Sequence, residues 1–190
     1  IHLEINQPEL GKTTSMTESL FAVGHQVGDI AQQIYCTDDA VEIPYGENLS
    51  DAIRETTELV ENGVNFPIFE ATFQYDGVLV RVDVLLPEGE GWRAIEVKAS
   101  TKVKGYHELD CAIQYWVMRN VGLKVNSISL AHIYNEFVYQ GVGDYSKLLV
   151  EKDLSDTAIE LQSKVPELIA EARAAINNDL PQIPVGKYCD

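Results

Sequence analysis

Asp83, Glu96 and Lys98 are the residues whose types and spacing point most directly to chemistry. Two carboxylates beside an ammonium suit one task. Carboxylate oxygens bind a hard divalent cation, and the lysine holds or polarises a water or a phosphate oxygen. Asp83 interrupts an apolar run, VLVRVDVLL (78–86). Its alternation places Val78, Val80, Val82, Val84 and Leu86 on one face, and Leu79, Arg81, Asp83 and Leu85 on the other. Glu96 and Lys98 lie two apart in WRAIEVKAS (92–100), with Ile95 and Val97 on the opposite face. Antiparallel pairing through PEGEG (87–91) sets Asp83 opposite Glu96 and Lys98, so all three are expected to converge on one sheet face. With 30 acidic residues and 9 lysines, an acid-x-Lys triplet arises about once by chance. An i,i+2 Glu/Lys pair on a strand is also an ordinary solvated face, so the company of the triplet is what distinguishes it.

The elements around these residues follow from periodicity. Residues 16–35 space Leu20, Val23, Val27, Ile30, Ala31 and Ile34 as one helical stripe. A second helix opens at Asn48 and runs to about Asn62, closed by Gly63. The period then changes to two. A strand over 67–73 meets an Asp-Gly hairpin turn (74–77), followed by the strands 78–86 and 92–100. Helical spacing returns from Tyr106 to Val121. A strand over 125–138 follows, then a long helix over 153–178, interrupted or restarted at Pro166. The order describes an α/β domain in which a three-stranded meander enters a crossover helix. One domain over 1–190 suffices, with a core at about 17–138, the C-terminal helix at 153–178 and an irregular tail at 179–190.

Composition narrows the function class. The chain has 190 residues and a net charge of −16. The excess lies in the first half, with 17 acidic and 4 basic residues over 1–95 against 13 and 10 over 96–190. Broad electrostatic adhesion to nucleic acid or anionic lipid needs a basic surface, which this balance denies. A locally basic groove, or acids gathered around a cation, remains open. No run of apolar residues reaches membrane-spanning length. Three widely spaced cysteines (Cys36, Cys111 and Cys189) make no disulfide framework, so a reducing, cytoplasmic setting is expected. Cys36 and Cys111 fall on or near apolar helix faces and read as small core residues. A start at Ile1 without Met, and no signal-peptide pattern, suggest a fragment of a longer protein.

The chain resembles the PD-(D/E)XK nuclease superfamily, and within it the RecB-like exonucleases that include CRISPR-associated members. The resemblance runs from about Phe21 to Phe137. It is carried by FAVGHQVGDIAQQIY (21–35), IFEATFQYDG (68–77), VRVDVLL (80–86), AIEVKAS (94–100) and YHELDCAIQYWVM (106–118), in the family's order. It implies a restriction-endonuclease-like αβββαβ core with a mixed sheet flanked by helices. It implies that Asp83 and Glu96 ligate Mg²⁺ or Mn²⁺ with the carbonyl of Val97, and that His25 of the first helix adds a ligand. Lys98 would orient the attacking water and stabilise charge on the scissile phosphate. Glu70 matches a first-strand acid with a second-metal or structural role. Gln114 matches the glutamine of the helix motif Q-x-x-x-Y, which holds the substrate or the active-site lysine. Met118 stands where that motif has its tyrosine, and neither Tyr115 nor Tyr106 has the matching spacing. Some members also carry a [4Fe-4S] cluster; here Cys189 is the candidate ligand, and the cluster would require cysteines of a longer parent protein.

Read without the resemblance, His25 is a capping or core histidine, Glu70 a strand-edge acid and Gln114 a buried amide satisfying its neighbours. His107 and His132 read as structural or surface groups. The stretch KASTKVK (98–104) carries Lys98, Lys102 and Lys104 without an acid, a short basic lip suited to a phosphodiester backbone and equally to a solvated loop. Lys102, Lys104 and Tyr106 are the candidate substrate contacts. The expected function is a divalent-metal-dependent nuclease hydrolysing DNA, single- or double-stranded, with protein partners also open. The alternative is a nuclease-fold module for binding nucleic acid or protein with little catalysis, in a larger repair or defence protein.

Overall fold

The structure, a computed structural model, describes residues 15–46 and 48–177. The tail 179–190, with Cys189, lies outside the described residues. In chain order the elements are helix α1 (Ser15–Tyr35), β1 (Val41–Glu42), α2 (Leu49–Glu61), β2 (Ile68–Tyr75), β3 (Val78–Glu88), β4 (Gly91–Lys98) and α3 (Gly105–Asn120). Then come β5 (Val125–Ile133), β6 (Leu149–Asp153), α4 (Ser155–Glu160), a 3₁₀ turn (Leu161–Ser163) and α5 (Val165–Asn177). The fold is α/β: a six-stranded mixed sheet in sequence order, flanked by helices. β2, β3 and β4 form the expected antiparallel meander, and α3 crosses over so that β5 joins β4 in parallel.

Local chemistry sets several boundaries. The Asn48 side chain accepts the Ser50 amide at 3.1 Å and caps α2. Asp76 and Gly77, at φ 45° and 69°, make the tight β2–β3 turn. The sheet divides two cores. The larger lies under α2, α3, α4 and α5 and includes Ile68, Ala71, Phe73, Val80, Val82, Leu85, Ala94, Met118 and Ile128. The smaller holds Phe69, Val84, Ile95 and Ala131, with Tyr35 of α1 against them. The Tyr35 hydroxyl also donates to Glu151 of β6 at 2.9 Å, tying α1 across this second face.

The uniform alternation expected for 78–86 does not hold. Val80 and Val82 enter the larger core, Val84 the smaller, and Leu85 the larger again. The phase slips at Asp83. β2 slips at the position opposite, where Phe69 faces the smaller core and Ala71 the larger. The β2–β3 register runs through Phe69↔Val84 and Ala71↔Val82 and omits the step between them, Glu70 against Asp83. Glu70 adopts φ 58°, a left-handed conformation in the middle of a strand. Pairing of β3 with β4 runs from Glu88↔Gly91 to Val84↔Ile95 and ends there, while β4 continues beside β5 to Lys98↔His132. The sheet therefore forks at Asp83 and Glu96.

Other expectations need correction. The helix expected over 153–178 is three pieces preceded by β6. The Asp153 carboxylate accepts from the Ser155 amide and hydroxyl, and the Leu154 amide bonds to Ile128, which starts α4 only at Ser155. Pro166 does sit in the first turn of α5. β5 ends at Ile133 rather than at 138, because Tyr134 to Phe137 close a turn. Cys111 is buried as expected, but Cys36 is exposed just past α1. Of the α1 stripe, Val27 and Ala31 are buried whereas Leu20 and Val23 face solvent. Among the described residues no helix is long and apolar enough to cross a membrane.

Candidate active site

The fork divides the predicted residues into two adjoining groups instead of gathering them on one sheet face: His25, Glu70, Asp83 and Val97 around one cavity, and Glu96, Lys98 and Gln114 against α3. Where β3 leaves β4, the Val97 amide loses its strand partner, and Asp83 Oδ2 accepts it at 2.6 Å. Asp83 thus sits in the gap between the strands. With His25, Gly24, Gly28, Asp29 and Gln32 of α1, and with Glu42, Glu70 and Val97, it lines a half-open cavity. Glu96 points the other way, toward α3, and is only 5% exposed. One of its oxygens accepts Lys98 Nζ at 2.5 Å and the other Gln114 Nε2 at 2.5 Å. Lys98 also meets Asp110 of α3 at 2.8 Å. Gln114 is 4% exposed, and its Oε1 is buried with no hydrogen-bond partner among the described residues.

The electrostatics follow from this enclosure. Burial, the Glu96 carboxylate and Glu70 hold the Asp83 carboxyl well above the usual range, against the opposing Val97 N–H. Burial likewise raises Glu96, although Lys98 and Gln114 favour its ionised form. Burial alone would lower Lys98; Glu96 and Asp110 outweigh it and raise the ammonium above its ordinary value. The buried Cys111 thiol, one turn before Gln114, is pushed up by burial and then by Glu96.

Glu70 has a hydrogen-bonding partner of its own. Its carboxylate accepts Arg81 Nε at 3.0 Å, while the same guanidinium reaches Thr72 Oγ1 at 3.2 Å and the Ile43 carbonyl at 3.0 Å. Glu70 therefore lines the cavity as an acid paired with Arg81, in a strained backbone conformation. His107 is buried and structural, accepting the Lys104 amide at the start of α3. Burial, Lys98 and Lys104 lower its pKa. Lys102, Lys104 and Tyr106 are exposed on the loop and first turn between β4 and α3, and do not line the cavity. Lys104 lies over the Tyr106 ring at 5.5 Å. Met118, at the motif's tyrosine position, is fully buried in the larger core.

Sequence reading missed Asp110, Arg81, Glu42 and Asp29. Arg81 carried a signal, as a cation two residues from Asp83 in an apolar strand. Asp110 carried none, since its pairing with Lys98 depends on how α3 docks.

Carboxylate oxygens are the donor type that a hard divalent cation takes. Asp83, Glu70 and His25 border one cavity, whereas Glu96 faces α3. Each engaged oxygen of Glu96 keeps a further lone pair. Among the described residues, no three His, Cys, Asp or Glu side chains are grouped so as to hold a metal ion.

No family model matches the chain, and no curated protein matches it. Among solved structures, the crystal structure of SSO0001 is similar at 18% identity and a TM-score of 0.30. The likeness covers 63% of this chain and 58% of that one, and a similarity this weak carries no argument about function.

Proposed function

We propose that this protein is a divalent-metal-dependent nuclease of the RecB-like exonuclease type, hydrolysing phosphodiester bonds in DNA. The observation that supports this reading is the placement of Asp83, Glu96 and Lys98 at the fork between β3 and β4, where the Val97 amide holds Asp83 and, from α3, Gln114 holds Glu96 and Asp110 holds Lys98. Asp83, Glu96, the Val97 carbonyl and His25 would hold Mg²⁺ or Mn²⁺, which supplies charge neutralisation at the phosphate and acidifies bound water.

The chain's own residues do the rest. Lys98, with its pKa raised, keeps its proton at neutral pH. It therefore acts as a hydrogen-bond donor and point charge toward a water or a phosphate oxygen, not as a base. Gln114 fixes the orientation of Glu96, and Asp110 limits the swing of Lys98. Val97 anchors Asp83 through its amide, leaving the remaining carboxylate lone pairs free.

The test is digestion of end-labelled single- and double-stranded DNA with Mn²⁺, with EDTA beside it. Metal-dependent products support the reading, and a ladder from one end assigns exonuclease action and its direction. Intact DNA under both conditions favours the second reading, a nuclease-fold binding module. That reading draws on the net charge of −16 and on the burial of Met118 where the family has a tyrosine.

A further inference from the structure

Tyr45 is 82% exposed, although it follows β1 by only three residues and Glu42 of that strand lines the cavity. One face of its ring has a fixed neighbour. The Arg81 guanidinium carbon lies 5.2 Å from the ring centroid, within cation–π range. Arg81 itself is only 15% exposed, and it is fixed by Glu70, Thr72 and the Ile43 carbonyl. One guanidinium thus joins a cavity wall, Glu70, to an exposed aromatic ring. From the α1 side, Phe21 is 62% exposed and shares a helix face with Gly24, His25 and Gly28, which line the same cavity.

We propose that Tyr45, pinned by Arg81, is a base-stacking platform that receives an unpaired nucleobase of the DNA strand whose phosphate lies at Asp83, Glu96 and Lys98. The inference rests on the nuclease reading for the position of that strand. A ring held on one face by a fixed cation loses little side-chain freedom when a base covers the other, so the platform is pre-organised. Stacking tolerates every base, because each has a π-face, but it requires the base to leave its duplex partner. The chain's acidity fits such a mode. With few basic groups to grip a backbone, base stacking is a source of affinity that does not depend on net charge, and it favours single-stranded ends. Phe21 offers a second apolar surface for the neighbouring base.

The experiment uses the full chain in EDTA, so that no cleavage intervenes, and a single-stranded oligothymidylate carrying one 2-aminopurine. Native protein and Tyr45→Phe should quench the fluorophore and bind alike. Tyr45→Ala, folded by circular dichroism because the side chain is exposed, should lose most of the quenching and bind about tenfold more weakly. Absence of quenching by the native chain overturns the proposal, as does equal quenching by Tyr45→Ala. Hydrolysis of bis(p-nitrophenyl) phosphate, which has no base, by the native chain with Mn²⁺ tests the nuclease reading separately. Its absence alongside intact, Tyr45-dependent quenching contradicts that reading and upholds the stacking site.

Discussion

The carboxylate of Asp83 accepts the amide of Val97 at 2.6 Å, taking the place of the strand partner that β4 loses where the sheet forks. The acid is thereby placed in the gap between two strands, near Glu96 and facing α1. Its ionised form is disfavoured there by burial and by neighbouring carboxylates.

Asp83→Asn is therefore expected to stabilise the metal-free protein at neutral pH. The folded-state pKa of Asp83 is raised, so the stability it contributes is complete below the unfolded carboxylate value and is lost as pH rises through the folded one. Asparagine has no such loss, and its side-chain oxygen still accepts the Val97 amide. Thermal melts in EDTA should show the variant at least about 2 °C above native near neutral pH, a shift of about 1 kcal/mol in a chain this long. The gap should close toward about pH 4. A variant less stable than native at every pH would contradict the placement.

Lys98→Ala should reduce the turnover of DNA by about 10²–10³-fold, the usual loss for a donor to developing charge. Asp110→Asn should cost only a few-fold, because Glu96 still holds the ammonium at 2.5 Å. Steady-state kinetics with Mn²⁺ check both. Equal losses from the two variants would show Asp110 to be more than a support.

Gln114→Leu removes two features at once, the bond to Glu96 and the unpaired buried Oε1. These oppose each other in stability, so urea denaturation should place the variant within about 1 kcal/mol of native. Cleavage should fall by at least about tenfold, since Glu96 loses the group that orients it.

Glu70 tests the strain at the fork. At φ 58° a glycine is relaxed and an alanine is not. Glu70→Gly should therefore be more stable than Glu70→Ala by about 1 kcal/mol, the reverse of the usual order within a strand. Urea midpoints for the pair decide it.

Much of this arrangement was legible in the sequence. The Asp-Gly turn and the PEGEG connection fix the meander, and the register of Val84 against Ile95 follows from them. The resemblance gave Gln114 the substrate or the lysine as its partner, whereas in the structure it donates to Glu96, the acid that the lysine also holds. What escaped was non-local. A strand that changes phase at Asp83 looks in sequence like one that alternates without a break, because valines stand on both sides of the slip. β1 spans two residues and exists only through its pairing with β2. β6 was hidden in LVEKD (149–153), whose charges mark an edge strand with few apolar positions to count.

The central claim is that Glu96, buried at the fork between Lys98 and Gln114, is required for metal-dependent DNA hydrolysis. Its most direct test is the initial rate of product release from end-labelled DNA at saturating Mn²⁺, for the native chain and for Glu96→Ala. Products from the native chain that vanish in EDTA and in the variant are the expected result. Metal-dependent products from Glu96→Ala at near the native rate would place the chemistry elsewhere.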